Sequence, residues 1–106
     1  MTADEALGAL IGTLERLRQT FPKDKATWDS RLIVRLAVER RWITAGNLAE
    51  IYRIERGVTT GIEPWSELVG YRHLLAHALD ISSDRVSADT IADLERILSG
   101  VRAQVC

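Results

Sequence analysis

The chain has 106 residues, enough for one domain, and 46% of them are hydrophobic, as expected of a chain that buries a core. No apolar run nears the ~18 residues of a membrane span, and Asp4 and Glu5 precede the first apolar positions where a secretory signal would carry basic residues, so the expectation is a cytoplasmic protein. The net charge of −1 excludes a generally basic nucleic-acid binder, and one cysteine, Cys106, allows neither an internal disulfide nor a zinc cluster.

Thr2 to Glu5 reads T-x-x-E, a capping box that opens a helix with the apolar stripe Leu7, Leu10, Ile11, Leu14 and Leu17. Phe21-Pro22 stops it, because proline disfavours helical geometry in the residue before it. Residues 23–27 read as a short connection. A long helix is predicted over residues 28–56, ending at Gly57. Its inward stripe is read as Ile33, Leu36, Arg40, Ile43, Asn47, Ile51 and Ile54. Arg40 and Asn47 interrupt that stripe one heptad apart, either to fix the register of an oligomer or to line a groove.

Residues 58–63, with Gly61 and two threonines, read as a loop. The next helix, predicted over 64–79, starts with a proline where no backbone donor is needed and carries Trp65, Leu68, Leu75 and Leu79 at helical spacing. Set into it are Arg72, His73 and His77. Residues 80–86 read as a second loop. Ser87 is a plausible N-cap for a last helix with Ile91, Leu94, Leu98, Val101 and Val105 spaced 3, 4, 3 and 4. The sum is an all-α chain, a single antiparallel up-down four-helix bundle, with homodimerisation inferred from its small size and the polar residues in its seam.

Positive charge is carried by twelve Arg and only two Lys. Arginine favours bidentate recognition of phosphate and carboxylate. Six of the twelve lie between Arg31 and Arg56, where the plain reading is a solvated helix surface with ion pairs.

The stretch from Ile62 onward is similar to the HepT-like branch of the HEPN domains. Four features carry the resemblance: Ile62, Pro64 and Trp65 leading to Gly70-Tyr71-Arg72; the Arg-x4-His spacing at Arg72 and His77; the D-R-V-x4-I-x-x-D-L run from Asp84 to Leu94; and, upstream, Val38-x-Arg40 with Gly46 eight residues beyond Val38. The resemblance covers residues 28–105. It implies a small helical toxin of a toxin–antitoxin system, paired with a minimal nucleotidyltransferase and acting as a metal-independent endoribonuclease without cofactor. On that reading His77 transfers protons and Arg72 clamps the phosphate, with His73, Arg40 and Asn47 contacting RNA. Residues five apart on a helix stand about 140° from each other. Either the helix loosens near its end or two copies face each other, and the resemblance implies the second.

The chain departs from the family pattern at His73 (usually Asn), at Asn47 (commonly Glu) and at Leu79, where the family has the tyrosine that the partner adenylylates. These departures favour the alternative, a non-catalytic HEPN subunit that binds nucleotide or substrate for the nucleotidyltransferase. His73 and His77 also have the four-residue spacing of two metal ligands, but a third ligand is wanting and no metal is expected.

Overall fold

A computed structural model describes residues 1–21, 25–59, 61–77 and 83–104; at 25, 28, 29, 74–77 and 83–92 it describes the backbone only. The described residues are helical, without strand: α1 (Ala3–Thr20), the short α2 (Lys25–Ser30), α3 (Leu32–Arg56), α4 (Trp65–His77) and α5 (Ser83–Arg102). None of these helices is long and apolar enough to cross a membrane.

Helix α1 begins as its sequence demands. Glu5 N–H donates to the Thr2 hydroxyl at 3.1 Å, and Thr2 N–H donates to the Glu5 carboxylate at 3.2 Å, the reciprocal capping box. Leu7, Leu10, Leu14 and Leu17 are buried, and Ile11 packs against the same cluster. At the far end of α3, Gly57 takes φ 69°. Only glycine enters this region without strain, and Val58 N–H can therefore turn back to the Arg53 carbonyl at 2.9 Å.

Two expectations for the middle of the chain fail. The single helix over 28–56 is broken at Arg31, whose φ −119° and ψ 90° are extended. No proline or glycine lies there; α2 packs on α3 and α5, and that tertiary contact overrides local propensity. The inward face of α3 is also the opposite one. Val38, Trp42, Ala45, Gly46, Ala49 and Tyr52 are buried, whereas Ile33 is 82%, Leu36 51% and Ile54 61% exposed, and Arg40 and Asn47 lie on the same outer face. Of the loop expected over 80–86, residues 80–82 lie outside the described residues and 83–86 are helical. Helix α5 starts at Ser83, four residues before the expected N-cap Ser87, because nothing in Asp84-Arg85-Val86 breaks a helix and Asp84 suits the positive end of the helix dipole. Helix α4 starts at Trp65, with Pro64 just before it, and Leu79 lies outside the described residues.

The core joins the buried residues of α1 and α3 to Trp65 and Leu68 of α4 and to Leu94, Ile97, Leu98 and Val101 of α5. Trp42 is fully buried although its indole N–H has no hydrogen-bond partner. The unpaired donor costs about 1–3 kcal/mol. Burying an aromatic of 150–250 Å² at ~25 cal/mol/Å² contributes about 4–6 kcal/mol, so the ring wins.

Contacts between neighbouring helices run in opposite order. Arg56 near the end of α3 bonds Asp4 at the start of α1, while Arg41 near the start of α3 reaches Thr20 at the end of α1. On α3 and α4, Tyr52 packs tilted against Trp65 with ring centres 4.4 Å apart, and Trp42 stacks on Tyr71 at 4.6 Å. Between these pairs α3 presents Gly46. A Cβ there would stand 2.7 Å from the Leu68 carbonyl oxygen and would overlap Arg72 Cβ.

Gly46→Ala should therefore destabilise the protein. Alanine gains about 1 kcal/mol of helix propensity over glycine, but overpacking costs about 1–3 kcal/mol, and a backbone carbonyl cannot rotate aside. Urea unfolding should show a net loss, whereas Gly8→Ala, where a Cβ meets nothing within 4 Å, should gain about 0.5–1 kcal/mol. Equal gains at both positions would refute the close approach.

Candidate functional site

Arg72 leaves α4 where that helix crosses Gly46, and its guanidinium lies along the outer edge of α3. Its Nη1 donates to Asn47 Oδ1 at 3.4 Å, and its Nη2 lies 3.1 Å from His73 Nε2. A guanidinium cannot accept a hydrogen bond. In the second contact the guanidinium is therefore the donor. Three of the five residues expected in the site, Arg72, His73 and Asn47, thus stand together.

Arg40 does not join them. It lies a heptad before Asn47, about 10 Å along the axis, and lines a groove with α1 residues instead. The side chain of His77 is not among those described. Its backbone is: α4 is α-helical through His77, so Arg72 and His77 remain about 140° apart around one axis. The described residues contain no cluster of three or more His, Cys, Asp or Glu side chains; the side chain of His77 is not among them.

A carboxylate that sequence reading passed over adds to the site's field. Glu50 is gripped by Arg53 at 2.7 and 3.2 Å. That guanidinium holds its carboxyl below the usual range, burial opposes the shift, and Arg72 and His73 add smaller pulls in the same direction. Glu50 is therefore ionised at neutral pH, a fixed negative charge close to Arg72 and His73. The i,i+3 spacing of Glu50 and Arg53 was its sequence signal.

Behind Arg72, α4 is tied to α5. The Tyr71 hydroxyl donates to Asp93 at 2.5 Å while its ring stacks on Trp42. Arg96 forks onto Glu67 at 2.5 and 2.6 Å and reaches Asp93 at 3.0 Å. The Tyr71 hydrogen bond, then Arg96, hold the Asp93 carboxyl below its usual range; Arg96 does the same to Glu67. These partners fix the α4 turn from which Arg72 projects.

Compared with known proteins, the chain matches no family model, no curated protein and no solved structure.

The tie between α4 and α5 sets a pH dependence. Asp93 has a lower pKa folded than unfolded, so its contribution is present above about pH 4, the unfolded value, and is lost as pH falls through the folded value. Tyr71→Phe keeps the stacked ring and removes the hydrogen bond. It should cost about 1 kcal/mol at pH 7, and the gap from wild type should narrow as pH falls below about 4 and through the folded value. Chemical denaturation across that pH range measures it; a gap unchanged by acid would exclude the Tyr71–Asp93 bond.

Proposed function

We propose that the chain is a HepT-like HEPN ribonuclease, the cytoplasmic toxin of a toxin–antitoxin pair, that works as a homodimer and is paired with a minimal nucleotidyltransferase. The sequence resemblance at Arg72 and His77 supplies the family. The observation that carries the reading is the position of Arg72: it stands beside Asn47 at the margin of an α3 face whose Ile33, Leu36 and Ile54 are uncovered in one protomer. The opposite-running helix pairs support an up-down antiparallel four-helix bundle, and a face of large aliphatics broken by Arg40 and Asn47 suits a second copy.

The chemistry follows from the residue types. The RNA 2′-hydroxyl attacks the adjacent phosphorus, the bond to the 5′-oxygen breaks, and a 2′,3′-cyclic phosphate and a free 5′-hydroxyl result. The attack needs a base to take the 2′ proton and an acid to give one to the leaving oxygen. Two copies of His77, one from each protomer, supply both. Arg72 balances charge on the phosphorane. No metal or cofactor enters these steps.

The alternative, a non-catalytic HEPN subunit that binds nucleotide or substrate for a partner nucleotidyltransferase, is favoured by Leu79, which has no hydroxyl to be adenylylated, and by the engagement of Arg72 with Asn47. It predicts nucleotide binding by calorimetry without cleavage.

Purified protein should cut single-stranded RNA or tRNA in EDTA, and His77→Ala should lower the rate about 10²–10⁴-fold at unchanged circular dichroism. Cutting that survives this substitution sinks the assignment. For the dimer, Leu36→Arg and Ile54→Arg, on side chains already more than half exposed, should give folded monomers in sedimentation and abolish cutting. Active monomers would refute the composite site.

A further inference from the structure

Five of the chain's arginines are balanced by carboxylates: Arg18 by Glu95, Arg53 by Glu50, Arg56 by Asp4, Arg96 by Glu67 and Asp93, and Arg102 by Glu15. Three others are grouped and unbalanced. Arg16 on α1 and Arg40 and Arg41 on α3 line one open groove of about 330 Å³ with Thr13, Ala37 and Thr44. Among the described residues no carboxylate pairs with any of the three.

The groove is also built. Arg41 Nε donates to the Thr20 hydroxyl at 3.0 Å, and that hydroxyl donates to the Arg16 carbonyl at 2.7 Å. Arg41 is thereby anchored by one nitrogen, and the two terminal nitrogens of its fork make no hydrogen bond among the described residues. Thr13 and Thr44 donate to carbonyls of their own helices at 2.8 and 3.0 Å, so the groove presents guanidinium donors over a floor of methyl groups and closed hydroxyls. Three cations held together repel each other unless an anion joins them, and forked donors match the oxygens of a phosphate.

The groove is open, and its α3 lining runs from Ala37 to Thr44, about 10 Å along the helix axis, more than one phosphate spans. Its Arg40 lies on the α3 face that carries Asn47 and meets Arg72, about 10 Å further along the helix. We infer that the α1–α3 groove is an anchoring subsite for the phosphodiester backbone of single-stranded RNA, upstream or downstream of a phosphate held at Arg72. This rests on the ribonuclease reading for the identity of the polymer; the groove itself rests on the placement of Arg16, Arg40 and Arg41.

The test uses a fluorescein-labelled 2′-O-methyl RNA, which cannot be cut through its 2′-oxygen, followed by anisotropy from 0.05 to 0.3 M salt. Losing two phosphate contacts to single-stranded RNA should weaken binding roughly 20-fold at 0.1 M salt and flatten the log–log salt slope by about 1.4. This is the result expected of Arg16→Gln with Arg41→Gln. Arg16→Gln alone removes an exposed side chain that has no partner among the described residues, leaves the fold intact, and should weaken binding about 5-fold. Arg18→Gln, at a balanced arginine, should change nothing. Inorganic phosphate at millimolar concentration should compete poorly; strong competition would make the groove a free-phosphate site and overturn the inference. So would a double variant that binds within twofold of wild type, or a wild type that does not bind. Cleavage is measured separately on unmodified RNA. Groove variants should raise KM at unchanged kcat. Binding that depends on the groove in a protein that never cuts would end the ribonuclease reading alone, and cutting indifferent to the groove would end this inference alone.

Discussion

The missing methyl at Gly46 is the constraint on which the rest of the structure depends. With no Cβ there, α3 and α4 approach until the Leu68 carbonyl and Arg72 Cβ fill the space a side chain would occupy. One aromatic pair closes each side of the crossing, Trp42 on Tyr71 and Tyr52 on Trp65. Arg72 emerges at the point of closest approach, and its guanidinium falls on Asn47, the neighbour of that glycine. The same turn of α4 is held from behind by Tyr71–Asp93 and Glu67–Arg96. On the proposed reading Arg72 meets a phosphate, a role that needs such a rigid root, and here the rigidity comes from backbone packing rather than from the polar groups themselves.

Sequence periodicity located helices well and faces less well. The capping box at Thr2, the stop after Thr20 and the glycine cap at Gly57 were readable because each is local chemistry. On α3 the reading was inverted. Ile33, Leu36, Ile43, Ile51 and Ile54 have the steps of a buried stripe, yet the buried stripe is Val38, Trp42, Ala45, Gly46, Ala49 and Tyr52. Small and aromatic residues look weaker on a hydropathy pattern than a row of isoleucines, but they are what a close helix crossing requires. Periodicity reports that a face is apolar; it does not say which of two apolar faces the chain itself covers. The break at Arg31 was hidden for the same reason, since partners and not propensity decided it.

The site was legible in part. Arg72, His73 and Asn47 were singled out from spacing and meet in the structure. Arg40 was grouped with them because it shares their helix face, but a heptad of rise separates it from Asn47 and brings it to α1. Arg41 was read as solvated helix surface, and Arg16 was not singled out. Their signal exists only after α1 and α3 are paired, when a polar edge on each helix becomes one groove. Charge counted along the chain is balanced, whereas charge counted in space is not.

The uncovered α3 face and the angle between Arg72 and His77 constrain each other. Helix α4 stays regular through His77, so one protomer holds the two motif residues about 140° apart and cannot aim both at a single phosphate. On the proposed reading a second copy supplies what is missing. The face able to receive it is the one that carries Asn47 at its edge, next to Arg72, and whose aliphatic side chains gain most from being covered. Catalysis and assembly then draw on the same helix: Gly46 fixes Arg72 from the inside of α3, and the isoleucines outside it bring up the partner. The groove lined by Arg16 and Arg41 lies on the flank of that face toward α1, so a strand anchored there would run along the margin of the paired surfaces rather than between them.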